Sequence, residues 1–326
     1  MRLALLLLLT NSLPAQPVFF RGVSFTAERG VRYESPEAIA QLDQLAKYAV
    51  DSVALIPFAY TPRGETKIVF GSDRSWESDA GITAAARAAH ERKMKVILKP
   101  QIWPNKPLDL KDPAVRKAWF LNYQAMVVHY AKLAATINAD LFCIGTELQY
   151  ATVHEPEFRA LIQAVKLHFK GPLTYAANHG EEFERITFWN ALDYIGLDNY
   201  YPLPDTLDAQ PLATKLEALH KKYRKPIIFT EAGYAAAPNS HRTPWEDRSE
   251  RPVHLEAQAK AYNALLSAFY TKPWFAGVFW WKLGTNGFGG PQDNSMTPWN
   301  KPAMDIIKRW YQTGRATNPN DSRPSK

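Results

Sequence analysis

Two glutamates occupy matching places in this sequence. Glu231 lies in Phe229-Thr230-Glu231-Ala232-Gly233-Tyr234, directly after the apolar run Pro226-Ile227-Ile228; Glu147 ends the run Leu141-Phe142-Cys143-Ile144-Gly145-Thr146-Glu147-Leu148. Each run reads as a buried strand. An unpaired charge inside such a run costs several kcal/mol, so each carboxylate belongs at the end of its strand, and Gly233 is read as the residue that lets the chain turn there. Two carboxyl groups, each delivered by its own strand, are the pair that hydrolysis of a glycosidic bond requires.

The elements that must bring them together follow from the hydrophobic pattern. Strands are expected over 19–26, 52–57, 95–100, 141–145, 173–177, 194–198, 226–230 and 276–281. Helices are expected between them and after the last: one from Pro36 with Ser35 as its cap, then 81–90, a long one from Asp112-Pro113 to about 138, then 156–170, 183–192, 212–223, 255–269 and 302–311. Strict alternation implies parallel strands with helical crossovers. Strands without polar alternation are buried on both faces. Eight such units in about 300 residues predict an α/β fold, the (β/α)8 TIM barrel, as a single domain. The competing doubly wound sheet would bind a nucleotide at a glycine-rich first turn; the first turn here is Thr26-Ala27-Glu28-Arg29.

In a barrel, the loops after the strands form the active face. Glu147 after the fourth strand and Glu231 after the seventh then share one rim. At a separation of about 5–5.5 Å there is no room for a water between them, and hydrolysis retains configuration through a covalent intermediate. Glu231 is the expected nucleophile and Glu147 the general acid/base, with a pKa raised by desolvation or by the neighbouring charge. Tyr200, at the end of the sixth strand, is placed to aim Glu231. Sugars have apolar faces ringed by hydroxyls, so the rim needs aromatic floors and polar sides. Candidates are Trp103, Lys99 and Gln101 after the third strand, Asn178 and His179 after the fifth, and Trp280, Trp281 and Lys282 on and after the eighth. Alternation sends one of Trp280 and Trp281 to the mouth and the other to the helices. Asp198 is read as an anchor for a neighbouring loop or a rim base.

Composition narrows the alternatives. The chain has 326 residues, 46% hydrophobic and 22% charged, with 10 Trp and a net charge of +7. The basic residues are scattered, which argues for solvated faces and against nucleic acid. Metal chemistry is not supported, because the histidines are dispersed and the single cysteine, Cys143, sits in an apolar strand. There is no phosphate-cradling loop and no serine elbow, and no cofactor is expected. Met1-Arg2 and the leucine run to Leu9 read as a secretory signal over 1–16, too short for a stable membrane anchor. The barrel is assigned to 17–314 and a polar tail to 315–326. The expected protein is a secreted or periplasmic monomer whose partner is a β-linked oligo- or polysaccharide.

A resemblance sharpens these expectations. Gly145-Thr146-Glu147-Leu148, Ile195-Gly196-Leu197-Asp198-Asn199-Tyr200-Tyr201-Pro202-Leu203, Thr230-Glu231-Ala232-Gly233-Tyr234 and Gly277-Val278-Phe279-Trp280-Trp281, in this order, resemble glycoside hydrolase family 113, of the retaining clan A. The resemblance runs from about Phe20 to Trp310. It implies endo-β-1,4-mannan hydrolysis, with Glu147 as acid/base and Glu231 as nucleophile. The chain departs from the clan in carrying Thr146 where asparagine commonly precedes the acid/base. The alternatives are a retaining glycosidase on another β-linked glycan, such as glucan or xylan, and a barrel that binds glycans without cleaving them.

Overall fold

The computed structural model describes residues 18–73, 75–104, 108–247 and 250–315. The leader read over 1–16 and the tail from 316 onward lie outside them. Arg315, assigned above to the tail, belongs to the fold: it donates to the carbonyls of Lys272 and Phe275 and lies over the Phe19 ring.

Eight parallel strands close into a barrel in sequence order: β1 (Phe20–Thr26), β2 (Ser52–Leu55), β3 (Lys95–Leu98), β4 (Leu141–Thr146), β5 (Leu173–Ala177), β6 (Ile195–Asn199), β7 (Ile227–Ala232) and β8 (Phe275–Gly284). Around it lie α1 (Pro36–Ala46), α2 (Asp79–Glu91), α3 (Pro113–Thr136), α4 (Glu155–His168), α5 (Glu182–Arg185), α6 (Gln210–Tyr223), α7 (Leu255–Phe269) and α8 (Pro302–Gln312). The chain is thus a single-domain TIM barrel, as the alternation of patterns predicts.

Local chemistry sets the helix starts. Ser35, Ser78 and Asp112 each accept hydrogen bonds from main-chain N–H groups of the following first turn, and Pro36 and Pro113 fill first helical positions where no N–H is needed. The helix expected over 183–192 is instead α5 plus a 3-10 turn, Phe188–Ala191, because Ile186 between them is extended. That break lets Phe183, Ile186, Phe188 and Trp189 all reach the core.

Two apolar layers result. Phe20, Ala54, Ile97, Leu141, Ile228 and Phe279 fill the barrel interior. A larger layer lies between strands and helices, where Phe229 meets Phe269 and Phe142 meets Phe169. Short parallel strands Phe58–Ala59 and Gln101–Ile102 extend the loops after β2 and β3 above the barrel. They make ladder structure of residues that the sequence places in loops.

Strict alternation fails near the two glutamates. Ile228 faces the interior and Phe229 the helices, so regular geometry would aim Glu231 outward. The β6–β7 register slips between Leu197↔Phe229 and Asp198↔Glu231, a bulge that re-aims Glu231 into the mouth. β7 therefore runs through the glutamate to Ala232 instead of ending at Thr230. The β4–β5 register also slips between Cys143 and Thr146. Gly233 does not act as a left-handed turn; its missing Cβ leaves room for the Trp281 carbonyl, 3.0 Å from where that atom would be.

Candidate active site

A cleft of about 350 Å³ opens at the C-terminal ends of the strands, lined in part by Phe58, Gln101, Trp103, Glu147, His179, Tyr200, Glu231, Trp245, Asp247, Trp281 and Lys282. A larger groove of about 510 Å³ on the outer wall is lined by helix and loop residues between α6, α7 and α8. It holds neither glutamate, and no buried polar side chains converge on it.

Glu231 is 4% exposed, and both of its oxygens are engaged. Oε1 accepts from Lys99 Nζ and, at 3.1 Å, from Gln101 Nε2; Oε2 accepts from the Tyr200 hydroxyl at 2.7 Å. An ammonium, an amide and a phenol all donating is the hydrogen bonding of a carboxylate. Lys99 is completely buried at the end of β3. Burial alone would depress its pKa, but Asp198 and Glu231 outweigh that and hold it above the ordinary lysine value.

Asp198 anchors a rim base, Lys99, one of the two roles expected from its position. It is fully buried, 3.6 Å from Lys99 Nζ, and accepts 2.7 Å from Thr230 Oγ1. Burial, then the Glu231 charge, push its carboxyl well above the usual range. Lys99 thus lies between two carboxyls, and the sequence reading of it as a rim contact gives way to a buried ion pair. Removing one partner of such a pair strands the other charges. Lys99→Met is expected to destabilise the fold by about 3–5 kcal/mol, measured as a lower midpoint of denaturant unfolding; an unchanged midpoint would show that the pair contributes nothing.

Glu147 follows β4 with φ 55°, the left-handed region. A non-glycine residue there costs on the order of 1 kcal/mol or more, and such strain gathers at functional sites. Its main chain still joins the ladder, donating to the Ala176 carbonyl at 2.9 Å. Its carboxyl is pushed up to about 7, first by burial and then by the Glu231 charge. Thr146 before it is buried at the strand end.

The remaining candidates divide. Trp280 is corrected: it is fully buried and stacks on Tyr262 of α7 at 4.0 Å, in the helix layer. Trp281, one residue on, lines the cleft, as interior-facing Phe279 two positions earlier requires. The Trp103 side chain is 65% exposed, while its main-chain N–H donates to the Ala59 carbonyl. Lys282 pairs with Glu28 at 2.5 Å beside the Trp281 ring. His179 lines the cleft, and burial lowers its pKa. Asn178 does not line it; its N–H is held by Glu182.

Four cleft-lining residues escaped the sequence reading, Met296 among them. Trp245 stacks on His179, with rings 5.3 Å apart and 4° from parallel, and Asp247 lines the same wall. Both belong to a long polar loop whose only signal was an isolated tryptophan. Phe58 lies in one of the short rim strands.

Comparisons with known proteins agree with this fold. The family model for glycoside hydrolase family 113 matches residues 22–293. A structure described as a complex of a family 113 β-1,4-mannanase superposes with a TM-score of 0.83 at 25% identity, covering 91% of this chain and 100% of that one. A family 113 β-mannanase from Alicyclobacillus acidocaldarius, in complex with ManMIm, gives 0.79 at 29% identity, covering 90% and 97%. A β-D-glucuronidase from Dictyoglomus thermophilum shares the fold alone, at 15% identity and a TM-score of 0.63, over 52% of its length. No curated protein matches in sequence. The matched span includes both glutamates, and the chain belongs to glycoside hydrolase family 113.

Proposed function

We propose that this glycoside hydrolase cleaves β-1,4-mannosidic bonds with retention of configuration. The observation that carries the reading is the contrast between two carboxyls in one cleft. Glu231 accepts three hydrogen bonds as a carboxylate does, while Glu147 is raised to about 7 beside it. Paired carboxyls in environments this different take different roles.

Glu231 attacks the anomeric carbon as Glu147 gives its proton to the leaving oxygen, forming a glycosyl ester. Glu147, now ionised, takes a proton from water, which attacks the same carbon and releases Glu231. Tyr200 and Gln101, one on each oxygen, hold the Glu231 carboxylate in line for attack by one of them. Both carboxyls line the same cleft, the arrangement double displacement needs. The two mannanase neighbours at 25% and 29% identity support mannan as the polymer. Export from the cytoplasm, read from the leader-like residues 1–16, is part of the same proposal.

The test is reducing-sugar release from linear mannan, β-glucan and xylan, with the anomer of the first product followed by NMR. Release from mannan as the β-anomer is expected. Turnover of glucan or xylan alone would move the enzyme to another polymer, and an initial α-anomer would refute double displacement.

Trp281 is the cleft's aromatic floor. Trp281→Ala is expected to lower kcat/KM on mannan on the order of tenfold to a hundredfold, about 1.4–2.8 kcal/mol of transition-state binding, with the unfolding midpoint nearly unchanged. Trp280→Ala should do the reverse, costing about 3–5 kcal/mol of stability by opening a cavity in the helix layer. Paired kinetics and denaturant curves on the two variants check both.

A further inference from the structure

Behind Glu147, on the side away from the cleft, lies a buried polar chain that the reaction scheme does not use. Leu148, the next residue, donates its N–H to the Tyr175 hydroxyl at 2.7 Å. Tyr175 donates in turn to Glu182 Oε1, also at 2.7 Å. Thr152 donates to the same oxygen at 3.1 Å, and the N–H of Asn178 to Oε2 at 2.6 Å. Tyr175 is fully buried and Glu182 is 3% exposed. Gly145 makes room for the arrangement: a Cβ there would come within 2.2 Å of the Tyr123 hydroxyl and 3.1 Å of the Tyr175 ring.

The directions of these bonds are fixed. Leu148 N–H can only donate, so the Tyr175 oxygen accepts it and turns its own proton to Glu182. Glu182 then accepts from three donors, the pattern of a carboxylate, although burial pulls its pKa upward. A buried acid in this position holds three places at once: the turn after Glu147, the Thr152 turn before α4, and the end of β5.

We propose that Glu182, acting through Tyr175, is a positioning residue for Glu147: it locks the main chain that keeps Glu147 left-handed and sets a negative charge behind its carboxyl. The proposal rests on Glu147 being the acid/base. Two consequences differ in kind. The hydrogen-bonded chain fixes where the acid points. The charge favours the protonated acid, and Glu182 does contribute to raising Glu147. The other titratable and charged groups facing Glu147 are Glu231 from β7, Lys99 after β3, and Asp198 and Tyr200 at the end of β6, with His179, Asp247 and Lys282 further along the cleft. Around Glu182 the other titratable groups are Tyr175, Tyr123 and Tyr201, phenols neutral at ordinary pH that burial raises further.

Tyr175→Phe removes the geometry and leaves the charge; Glu182→Gln removes the charge and forces its amide to face a donor. The readout is kcat/KM on a mannooligosaccharide and on a dinitrophenyl β-mannoside, whose leaving group departs without a proton. Both variants are expected to lose about tenfold or more on the first and less than about threefold on the second. Glu182→Gln should also shift the alkaline limb of the profile down by about half a pH unit, with Tyr175→Phe leaving it in place. Equal losses on both substrates would mean a merely structural role, and no loss on either would remove the role altogether. If Glu182→Gln does not fold, the Tyr175→Phe substrate ratio decides alone. Glu147→Ala is run alongside. If it spares the dinitrophenyl substrate, the acid assignment stands and a failed relay fails by itself; if it loses both substrates equally, the assignment of Glu147 falls first.

Discussion

Glu231→Ala is expected to lose on the order of 10⁴–10⁶ in kcat on mannan, the largest effect of any single substitution in this chain. The variant has no group to form the glycosyl ester, and the remaining cleft can only bind. The loss should not come from unfolding. Lys99 keeps Asp198 at 3.6 Å, so one carboxyl still faces the buried ammonium. Calorimetry should therefore show a folded protein without activity. The space vacated by the side chain admits a small anion. Sodium azide with a dinitrophenyl β-mannoside is expected to give the α-configured glycosyl azide, because the anion attacks from the Glu231 side in a single displacement. Residual activity above about one per cent of the parent, or a β-azide, would show that Glu231 is not the nucleophile.

The second large effect is at Glu147, where kinetics and stability move together. Glu147→Ala should lose about 10²–10⁴ in kcat/KM on mannan, the usual worth of a general acid, and azide should now yield the β-configured product after attack on the ester. In the parent enzyme the acid must be protonated, so kcat/KM on mannan falls as pH rises through about 7.

The same carboxyl couples to folding. Its pKa is raised from 4.5 in the open chain to about 7 in the fold. Between those values the folded protein binds more protons than the unfolded one, so this group's contribution declines as pH rises through that window and is level above it. Glu147→Gln removes the decline. It should match the parent near pH 4.5 and exceed it by roughly 2–3 kcal/mol near pH 8. Urea unfolding at the two pH values is the check; curves that stay parallel would mean that burial and Glu231 do not raise this group. The stability gained and the activity lost would then share one origin, the desolvation that poises the acid.

The barrel was legible in the sequence because its causes are local. Apolar runs of strand length, bounded by Ser, Asp, Pro and Gly signals and alternating with helical periodicity, leave few topologies. The two glutamates were legible for the same reason, since a carboxylate that ends a buried strand must open on the rim. The Tyr200 bond to Glu231 followed from which strands are neighbours in a closed ring.

What the tertiary structure decided concerns direction and depth. Sequence alternation says that one of Trp280 and Trp281 faces the mouth, but only the interior position of Phe279 says which. Alternation alone would have aimed Glu231 at the helices; a register slip, set by how β6 and β7 pair, aims it at the cleft. Lys99 looked like an exposed contact, yet it is buried because two carboxyls from β6 and β7 meet it there. Trp245 and Glu182 carried no pattern at all, because a loop stacking on His179 and an acid reaching Leu148 through Tyr175 are contacts between segments distant in sequence. Local periodicity specifies which elements form and in what order. The aim of a side chain at their ends depends on bulges, charges and neighbours that exist only once the ring has closed.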